Sequence, residues 1–455
     1  MLDFEIIPEF ALGNADCKFL LGMLFNQAVY FIQDNCLNIK AVQILYSDLA
    51  PLSMDLVVNM SEDGVRLIFD SYTQRLKLIE IYNLQKIKLK YSGKYFCTTE
   101  IKPTLEKIDN VFGPTLPGIY DPNQQLFVLN FRGLSFSFPI ESHFQPNYSN
   151  GMGSLQFLEG QTPIVSKICI YSGDDFDNMK CPPISPISFE GGSYLEKIDV
   201  LIKQDNNTAY GLKIVYSTEA FDPISTTSHS NEKITFERHI YLDDPSQNIH
   251  SSLGQADKIF YKGEDKMEIH KQTTSNLQAH CYNPYSASVY TDYFYNYFDL
   301  GLDILFDGEH NRVKKFILHT NYPGHYDFNI YNRAHFDIPL NLTADQNISQ
   351  PLITTSDDKS FSNDRDKSVT DGIFHIDPFS KWDEIKEFFS RKSSNDPSRR
   401  TDEIPDKPVV LNRTSSVNSV NPFGSTYCYA FKNIIFEIMP NNHISTVTIF
   451  CPTTT

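Results

Sequence analysis

The sequence contains no run approaching the roughly 18 uninterrupted apolar residues that a membrane-spanning helix needs. We therefore expect no spanning helix. The opening residues, MLDFEIIPEF, place Asp3, Glu5 and Glu9 where a secretory signal carries positive charge followed by an apolar core. We expect no signal peptide either, and together these absences predict a soluble protein of the cytoplasm.

Positive charge is also scarce. The chain has 39 Lys and Arg residues against 56 Asp and Glu residues, which gives a formal net charge of −17. Phosphate backbones are bound by clustered Lys and Arg side chains, so an acidic surplus argues against nucleic acid as the main partner. Any basic site must therefore be local.

The short signatures of nucleotide, zinc and hydrolase sites are missing as well. No G-x-x-x-x-G-K-[ST] loop is present, and no G-x-G-x-x-G follows a predicted strand. The eight cysteines include no C-x-x-C pair and no short Cys/His spacing typical of zinc. Ser154 and Ser425 follow glycines but lie in no G-x-S-x-G motif. We predict no catalytic, cofactor-binding or metal-binding residues, and hence a protein that is not an enzyme.

The sequence does contain two segments with the same alternation of apolar and polar residues. Residues 63–82 read DGVRLIFDSYTQRLKLIEIY, and residues 299–320 read DLGLDILFDGEHNRVKKFILHT. When Gly64 is aligned with Gly301, no gap is needed and the apolar residues of both segments fall on the same alternate positions. Alternation of this kind predicts strands with one buried face, and the polar residues between them predict a hairpin turn.

Two further segments fit the pattern, and a short helix is predicted before each of the four. The additional strands are at 132–139 with 163–173 and at 431–450, where Phe431 takes the place of the glycine. Apolar residues four apart and stopping glycines predict helices at 103–113 and 244–255. Ser380 as N-cap with Ile385 and Phe389 on one face predicts a third at 380–390, and the first copy has a candidate at 24–36. Because an isolated hairpin needs another element over its apolar face, we predict an α+β protein of tandem duplicated units, each a short helix plus antiparallel β-strands. A shared catalytic frame is less consistent with the pattern, because the second copy lacks the recurrent Phe-Asp ending.

This interpretation divides the chain into six segments. Helix-plus-sheet units are predicted at 1–100, 101–183, 244–340 and 380–455, with a β-rich connecting region at 184–243 and a disordered linker at 341–379. The fourth unit contains a predicted disordered loop at 391–407. Both disorder predictions depend on polar, Ser- and Asp-rich composition with almost no aromatic residues.

One candidate surface is basic. Lysines alternate with apolar residues in QKIKLKYSGKYF, residues 85–96. As a strand, this segment would place Lys86, Lys88 and Lys90 on one sheet face with Lys94 close by. Each such charge contributes about 1 kcal/mol near an anionic lipid surface. The alternative is a solvated sheet face, which the acidity of the whole chain favours.

A second candidate surface is aromatic. The segment HTNYPGHYDFN, residues 319–329, gathers His319, His325 and Asp327 around a Pro-Gly turn. These residue types can bind a metal or transfer protons, but a third ligand is not evident from the spacing, and loops of this composition are commonly rigid turns or contact surfaces. The single tryptophan, Trp382, either docks into a partner or packs its own helix. Our partner-binding candidates are His319, Asn321, Tyr322, His325, Tyr326, Phe328 and Trp382.

Longer strings carry a more specific signal. The stretches DGVRLIFDSYTQRLKLIEIYNLQKIKLKY, YFYNYFDLGLDILFD, KKFILHTNYPGHYDFNIYNRAHFDIPL and FEIMPNNHISTVTI closely resemble the phagophore assembly factor family, formerly an uncharacterised family with a Lin-10-like label. The resemblance is collinear and runs over essentially the whole chain. No catalytic residues are carried over from it.

The resemblance implies a non-enzymatic adaptor or scaffold that acts in autophagy. Members of the family form a complex with a WD-repeat β-propeller protein that recognises phosphoinositides, so any peripheral membrane association is expected mainly through that partner. The implied location is the cytoplasm with recruitment to the phagophore assembly site. An older association of relatives with the Golgi leaves a Golgi or vesicle-trafficking factor as the alternative, and the lysine segment leaves a direct anionic-lipid-binding module as another.

Overall fold

The computed structural model describes residues 1–115, 118–121, 123–139, 163–174, 176, 179, 182, 193–219, 233–262, 291–341, 373–393, 407–412 and 423–451. Most of the predicted disordered linker and loop lies outside these residues. The prediction of disorder was wrong at two edges. Residues Ile373–Ile376 form a strand that pairs antiparallel with Phe336–Asn341, and a helix extends to Ser393, three residues into the predicted loop.

Residue contacts divide the chain into two compact units, Met1–Ser193 and Tyr194–Thr455. We call them the N-terminal unit and the C-terminal unit. The finer division into six segments stays a prediction. The described residues are mostly β-structure with four α-helices, arranged in four sheets.

The N-terminal unit contains thirteen strands and two helices in its described residues, with one short 3₁₀-helix at Leu84–Lys86. The strands are β1 Leu2–Ile7, β2 Ala11–Gly13, β3 Lys18–Leu20, β4 Val42–Leu45, β5 Leu56–Met60, β6 Val65–Phe69, β7 Leu76–Ile81, β8 Ile87–Tyr91, β9 Lys94–Cys97, β10 Ile119–Asp121, β11 Leu126–Phe131, β12 Leu134–Pro139 and β13 Lys167–Tyr171. The helices are α1 Phe25–Asp34 and α2 Leu105–Phe112.

The C-terminal unit has the same number of described strands and helices. Its strands are β14 Ser193–Lys203, β15 Thr208–Glu219, β16 Lys233–Tyr241, β17 Lys258–Tyr261, β18 Tyr293–Tyr297, β19 Leu302–Phe306, β20 Val313–His319, β21 Phe336–Asn341, β22 Ile373–Ile376, β23 Val409–Leu411, β24 Thr426–Phe431, β25 Ile434–Ile438 and β26 Ile444–Phe450. Its helices are α3 Ser246–Leu253 and α4 Trp382–Ser393.

Both units have a five-stranded and an eight-stranded sheet with matching strand order. The five-stranded sheets run β3-β2-β1-β8-β9 and β16-β15-β14-β21-β22, and each has one parallel pair, β1 with β8 and β14 with β21. The eight-stranded sheets run β10-β11-β12-β13-β7-β6-β5-β4 and β17-β18-β19-β20-β26-β25-β24-β23. Each eight-stranded sheet therefore consists of two four-stranded antiparallel meanders, and each meander follows a helix in the chain. The tandem duplication that would explain this order stays a prediction.

Helix α2 packs between the two sheets of the N-terminal unit, and α3 and α4 join the core that both sheets of the C-terminal unit share. In α2, the ring of Phe112 stacks on Tyr91 at 4.4 Å and meets Phe136 at 5.0 Å, so one side chain contacts both sheets. In the C-terminal unit, one hydrophobic cluster collects buried residues from both sheets together with Ile249 of α3 and Ile385 of α4. The predicted amphipathic faces of these helices are confirmed by this burial.

The two similar segments are hairpins with shared irregularities. Strands β6 and β7, and strands β19 and β20, are antiparallel pairs with a register shift just before Phe69 and just before Phe306. The turn residues Gln74 and Asn311 both have positive φ, at 53° and 55°. In the fourth hairpin, the alignment of Phe431 with the glycine was wrong. Phe431 ends β24, and the residue directly before the next strand is Asn433.

Among the described residues, no helix is both long enough and apolar enough to cross a membrane.

Candidate functional site

The aromatic segment singled out in the sequence folds back over its own sheet. It continues from β20 into residues 320–333, which we call the 320–333 loop. Leu302, Ile304 and Phe306 of β19 point into the hydrophobic core, so Asp303 between them points to the opposite face. His319 lies on that same outer face. The 320–333 loop covers this face and buries the polar side chains that lie on it.

Several hydrogen bonds hold the loop in place. The Thr320 hydroxyl donates to the carbonyl of Ile444 at 2.7 Å, and the Tyr322 hydroxyl donates to the carbonyl of Pro378 at 3.0 Å. Arg333 Nε donates to the carbonyl of Thr320 at 2.8 Å, and its guanidinium lies over the Tyr322 ring at 4.7 Å. Because these bonds are buried, each is sheltered from competing water.

Beneath the loop lies a chain of alternating carboxylates and imidazoles. His319 Nε2 is 3.0 Å from Asp303 Oδ2, and His319 Nδ1 is 3.5 Å from Asp327 Oδ2. His325 continues the chain, with Nδ1 3.9 Å from Asp327 and Nε2 3.6 Å from Glu437 Oε1. All five side chains are buried, at 4–7% exposure. We call Asp303, His319, Asp327, His325 and Glu437 the His319 network.

Neutral hydrogen-bond donors contact the carboxylates at both ends of the network. Asp303 accepts hydrogen bonds from the amide of Asn296 at 2.7 Å and from the hydroxyl of Tyr331 at 2.9 Å. Glu437 accepts from the hydroxyls of Thr426 at 2.6 Å and Thr446 at 2.8 Å. The Tyr331 ring also stacks on the His319 ring, with centroids 3.7 Å apart and planes inclined by 2°. The carboxylates at the two ends are thus compensated inside the protein.

The carboxylates of the network raise the pKa of His319 and of the neighbouring Tyr331. Burial alone would lower the pKa of His319, but its hydrogen bonds to Asp303 and Asp327 and their negative charges outweigh burial, so the pKa lies above the ordinary 6.5. Burial and the Asp303 carboxylate raise the pKa of Tyr331. His319 between these two carboxylates therefore holds its proton more tightly than a free imidazole does.

This arrangement does not offer an obvious reaction centre. The three residues of the metal or hydrolase hypothesis, His319, His325 and Asp327, are brought together, but they lie 5–7% exposed beneath the loop. Within the described ranges, no group of three or more His, Cys, Asp or Glu side chains is arranged to hold a metal ion. Buried polar side chains in contact with one another fix one packing arrangement, and we interpret the network as the anchor of the 320–333 loop.

The N-terminal unit shows which part of this network is particular to the C-terminal unit. In the ungapped alignment, Asn59, Arg66 and Tyr82 occupy the positions of Asn296, Asp303 and His319. There the Tyr82 hydroxyl donates to Asn59 Oδ1 at 2.9 Å, and the Arg66 guanidinium lies over the Tyr82 ring at 4.3 Å. Both units bury an asparagine at this position. The N-terminal unit has Arg66 and Tyr82 where the C-terminal unit has Asp303 and His319.

The other partner-binding candidates are distributed unevenly between interior and surface. Asn321, Tyr322 and Trp382 are 7%, 1% and 3% exposed, and the Trp382 ring stacks on Tyr429 at 4.3 Å. Phe328 is half-buried, and Tyr326 is 41% exposed. Partner contact stays a prediction for all seven candidates, but in this arrangement a partner would meet Tyr326 first.

The four candidate lysines do not share one face. Lys88 and Lys90 lie on the outer face of β8, opposite Asp3 and Glu5 of the parallel strand β1. Lys86 instead lies in the 3₁₀-helix, where its ammonium donates to the carbonyl of Ser61 at 3.2 Å. The prediction of three lysines on one strand face was therefore wrong, because the strand begins at Ile87.

Lys94 lies on a different face from Lys88 and Lys90, and acidic residues lie beside these two lysines. Lys94 lies opposite Tyr91, which points inward to Phe112, so it does not join Lys88 and Lys90. Lys90 Nζ lies 3.9 Å from Asp3 Oδ1. Lipid contact by these lysines stays a prediction, and the adjacent carboxylates reduce the positive potential available for it.

The similarity of this chain to known proteins extends over nearly its whole length. Residues 16–450 match the family model described as phagosome assembly factor 1. The chain belongs to the phagosome assembly factor 1 family. The resemblance stated from the sequence is confirmed by this match.

Relatives in the phagosome assembly factor 1 family come from animals and a plant. The PHAF1 protein CG7083 of Drosophila melanogaster is 41% identical over 450 residues, which cover 99% of this chain and 94% of the relative. The PHAF1 protein T01G9.2 of Caenorhabditis elegans is 32% identical, with 98% and 94% covered, and the PHAF1 protein At3g51130 of Arabidopsis thaliana is 29% identical, with 98% and 92% covered. No solved structure matches the chain.

This member of the phagosome assembly factor 1 family also has exposed apolar edge strands, which the sequence reasoning missed. In β4, the side chains of Val42, Ile44 and Leu45 are 38%, 38% and 49% exposed. In β17, those of Ile259 and Phe260 are 48% and 52% exposed. An apolar strand has the same sequence pattern at the edge of a sheet as in its middle, so the sequence carries no direct signal for this exposure.

We expect two histidines to give this phagosome assembly factor 1 family member a stability maximum near pH 6.5. The pKa of His319 is raised in the folded state, so its contribution is complete below 6.5 and is lost as the pH rises through the folded value. Burial, with Lys381 and Arg333 nearby, lowers the pKa of His443 to about 4, so its contribution is lost as the pH falls from 6.5 towards 4.

Urea unfolding across this pH range tests the assignment. His319→Gln should flatten the alkaline side of the profile and leave the acid side, while His443→Gln should do the reverse, so each variant controls for the other. An alkaline loss of stability that persists in His319→Gln would contradict the role given to the His319 network.

Proposed function

We propose that this protein is a non-enzymatic adaptor that binds a WD-repeat β-propeller protein and acts in autophagy at the phagophore assembly site. The observation that carries the proposal is the family match over residues 16–450, together with relatives named as PHAF1 proteins that are aligned over nearly their whole length. In this proposal the partner provides the phosphoinositide recognition and brings the adaptor from the cytoplasm to the membrane.

Two features of the described residues support an adaptor. The clustered histidines and carboxylates of the His319 network are buried beneath the 320–333 loop and contact one another, which suits an anchor for a loop. Apolar side chains of the edge strands β4 and β17 are exposed, and exposed apolar surface is characteristic of sites that bind other proteins. The carboxylates of Asp3 and Glu5 beside the lysines of β8 favour membrane contact through the partner over direct contact.

Affinity purification of the tagged full chain from cells, followed by mass spectrometry, tests the proposal. We expect a WD-repeat protein to copurify, and we expect deletion of the gene to lower autophagic flux until the full chain is restored. Failure to recover such a partner, with unchanged flux after deletion, would contradict the proposal. Unchanged flux with delayed Golgi transport would instead support the trafficking alternative.

The same purification tests the exposed residue of the 320–333 loop. Tyr326→Ala should lower recovery of the partner, because exposed tyrosines often supply large contact areas at interfaces. Tyr241→Ala is a matched control, since Tyr241 has similar exposure, 40% against 41%, but lies on β16. Equal recovery from both variants would remove Tyr326 from the interface.

Flotation with phosphoinositide vesicles separates direct from indirect membrane binding. The purified chain alone should remain unbound at physiological salt, and it should float when the WD-repeat partner is added. Flotation of the chain alone that is lost in a Lys88→Glu, Lys90→Glu variant would support the direct lipid-binding alternative.

A further inference from the structure

The middle of the 320–333 loop contacts the sheet through two buried side chains. His325 Nε2 lies 3.6 Å from Glu437 Oε1 of β25. Asp327 Oδ2 lies 3.5 Å from His319 Nδ1 of β20. Tyr326 lies between these two loop residues in the chain and is 41% exposed. The position of this exposed tyrosine is therefore set in part by two imidazole–carboxylate contacts.

One proton is enough for the contacts of His325. The main-chain N–H of Asp327 donates to His325 Nδ1 at 3.4 Å, so this nitrogen acts as an acceptor and carries no proton. The single proton of a neutral imidazole then lies on Nε2, where it faces Glu437. Both ring nitrogens of His325 thus have suitable neighbours when the ring is neutral.

The contacts of His319 require two protons. Its Nε2 is 3.0 Å from Asp303 Oδ2 and its Nδ1 is 3.5 Å from Asp327 Oδ2, so a carboxylate faces each ring nitrogen. A neutral imidazole donates from only one nitrogen, and the shorter distance places that proton towards Asp303. The Nδ1 lone pair would then face an oxygen of Asp327 in a buried site, which is unfavourable. With both carboxylates ionised, only the doubly protonated ring attracts the sheet and the loop together.

The surroundings of His319 are otherwise neutral near its ring. Within the described ranges, the titratable groups that face the ring are Asp303, Asp327 and Tyr331. Burial and the Asp303 carboxylate raise the pKa of Tyr331, so this phenol keeps its proton. Asn296 of β18, which contacts Asp303, and Thr446 of β26, which lies opposite His319 in the ladder, carry no charge.

Charged groups of the loop and of β25 have other contacts. The Arg333 guanidinium lies 4.7 Å from the centre of the Tyr322 ring, and Glu437 Oε1 faces His325. Among the described groups, Asp327 is therefore the loop carboxylate that the second proton of His319 attracts.

We propose that His319 is a pH-dependent switch, which holds the middle of the 320–333 loop against the sheet only while each of its ring nitrogens carries a proton. When the Nδ1 proton passes to solvent, the contact with Asp327 becomes repulsive, and residues 324–329 move away from the sheet together with Tyr326. The loop is thus closed at lower pH and opens as the pH rises. This switch does not depend on the adaptor function.

The direction and size of the effect follow from proton linkage. Burial lowers the pKa of His319, but in the closed loop its hydrogen bonds to Asp303 and Asp327 and their charges raise it above 6.5. In the open loop the contact with Asp327 is lost, so the pKa is lower than in the closed loop. Below both pKa values, pH does not affect opening. Between them the opening equilibrium should rise by up to about tenfold per pH unit, because one proton leaves on opening.

Amide hydrogen exchange in the full chain tests the switch. Exchange of residues 324–329 is measured from about pH 6 to about pH 9 and divided by the intrinsic rate of an unstructured chain at each pH. The corrected exchange should increase with pH. It should also be insensitive to low urea concentrations, because opening of a short loop exposes little surface. Exchange of α3 in the same unit should increase with urea, because it reports unfolding of the unit.

Two substitutions at position 327 separate the proton from the packing. Asp327→Asn keeps the shape and supplies an amide that can donate to the unprotonated Nδ1 of His319. Its loop should therefore stay closed at high pH, and the pH dependence should be lost. Asp327→Ala removes the contact, so its loop should exchange over the whole range about as fast as the wild-type loop does at the highest pH.

Glu437→Gln is the matched control. It also replaces a buried carboxylate of the His319 network with an amide, but at the end that contacts His325, so the wild-type pH dependence should remain. Thermal unfolding verifies that each variant is folded. If Glu437→Gln is not, His443→Gln takes its place, because it removes another buried titratable histidine.

Three results would overturn the proposal. The first is a corrected exchange of residues 324–329 that does not change with pH in the wild type. The second is equal urea dependence of this exchange and that of α3, since the loop would then open only when the unit unfolds. The third is wild-type pH dependence in Asp327→Asn. The first two need no substitution, and none of the measurements involves a partner, so the adaptor function is tested separately.

Discussion

Gly301→Ala is expected to lower the free energy of unfolding by about 3 kcal/mol, as the sum of a positive-φ cost and an overpacking cost. Gly301 has a φ of +63°, a conformation that side chains other than glycine rarely adopt. A Cβ atom built there would lie 2.4 Å from the carbonyl oxygen of Asn332 and 2.8 Å from the amide nitrogen of Ala334. Both are main-chain atoms, so neither can move aside without shifting the end of the 320–333 loop.

Gly254→Ala is the control for this measurement. Gly254 has a φ of +84°, but nothing lies within 4 Å of a Cβ built there, so only the cost of about 1 kcal/mol for the backbone conformation remains. In urea unfolding monitored by a probe in the C-terminal unit, the free energy of unfolding should be clearly lower for Gly301→Ala than for Gly254→Ala. Equal losses in the two variants would show that close approach of the loop does not explain Gly301.

The recurrence of this glycine is what made the hairpins visible in the sequence. Gly64 has a φ of +70°, and a Cβ there would lie 2.4 Å from the Cβ of Asn83. Gly133 has a φ of +69°, with Glu9 main-chain and side-chain atoms at about the same distance. Each glycine precedes a strand at a point where another part of the chain crosses closely. A local physical requirement thus left a local signature that sequence reasoning could detect.

Elements specified by nearby residues were predicted well. Helix α2 begins after Thr104, whose hydroxyl accepts a hydrogen bond from Lys107 N–H, and it stops at Gly113. The pairing of β12 with β13 was also predicted, although the connection between them is long. In both cases, alternation or capping within a few residues carried the information.

Features that depend on pairing between residues far apart in the sequence could not be predicted from local sequence patterns. The parallel pair β1–β8 joins Leu2 to Ile87, and no local signal sets that pairing. In the same way, the spacing around His325 could not indicate Glu437, which lies beneath the loop only because β25 is in the same sheet. The exposure of the β4 side chains depends on which parts of the chain lie beside them, and a strand's own residues do not encode that.

Asp303→Ala is expected to lower the free energy of unfolding by about 3–5 kcal/mol, the range for breaking a buried charged pair from one side. Asp303 is 7% exposed and accepts hydrogen bonds from Asn296 and Tyr331 besides contacting His319 at 3.0 Å. Alanine would remove the acceptor of the Tyr331 hydroxyl and the carboxylate beside His319, and it would leave the Asn296 amide only its longer contact, 3.3 Å to the Tyr331 hydroxyl. The desolvation cost of those groups would then be uncompensated.

Two further variants show whether charge or shape is responsible. Asp303→Asn keeps the shape and one acceptor oxygen, so it should cost less than alanine, and it should also reduce the alkaline loss of stability by lowering the pKa of His319. Glu237→Ala removes an exposed carboxylate, 2.7 Å from Lys213 Nζ, and should change stability little because water screens the pair. If Asp303→Ala costs no more than Glu237→Ala in urea unfolding, the network does not anchor the 320–333 loop. If Asp303→Asn matches alanine, the negative charge, rather than the fit of the side chain, holds His319 and the loop in place.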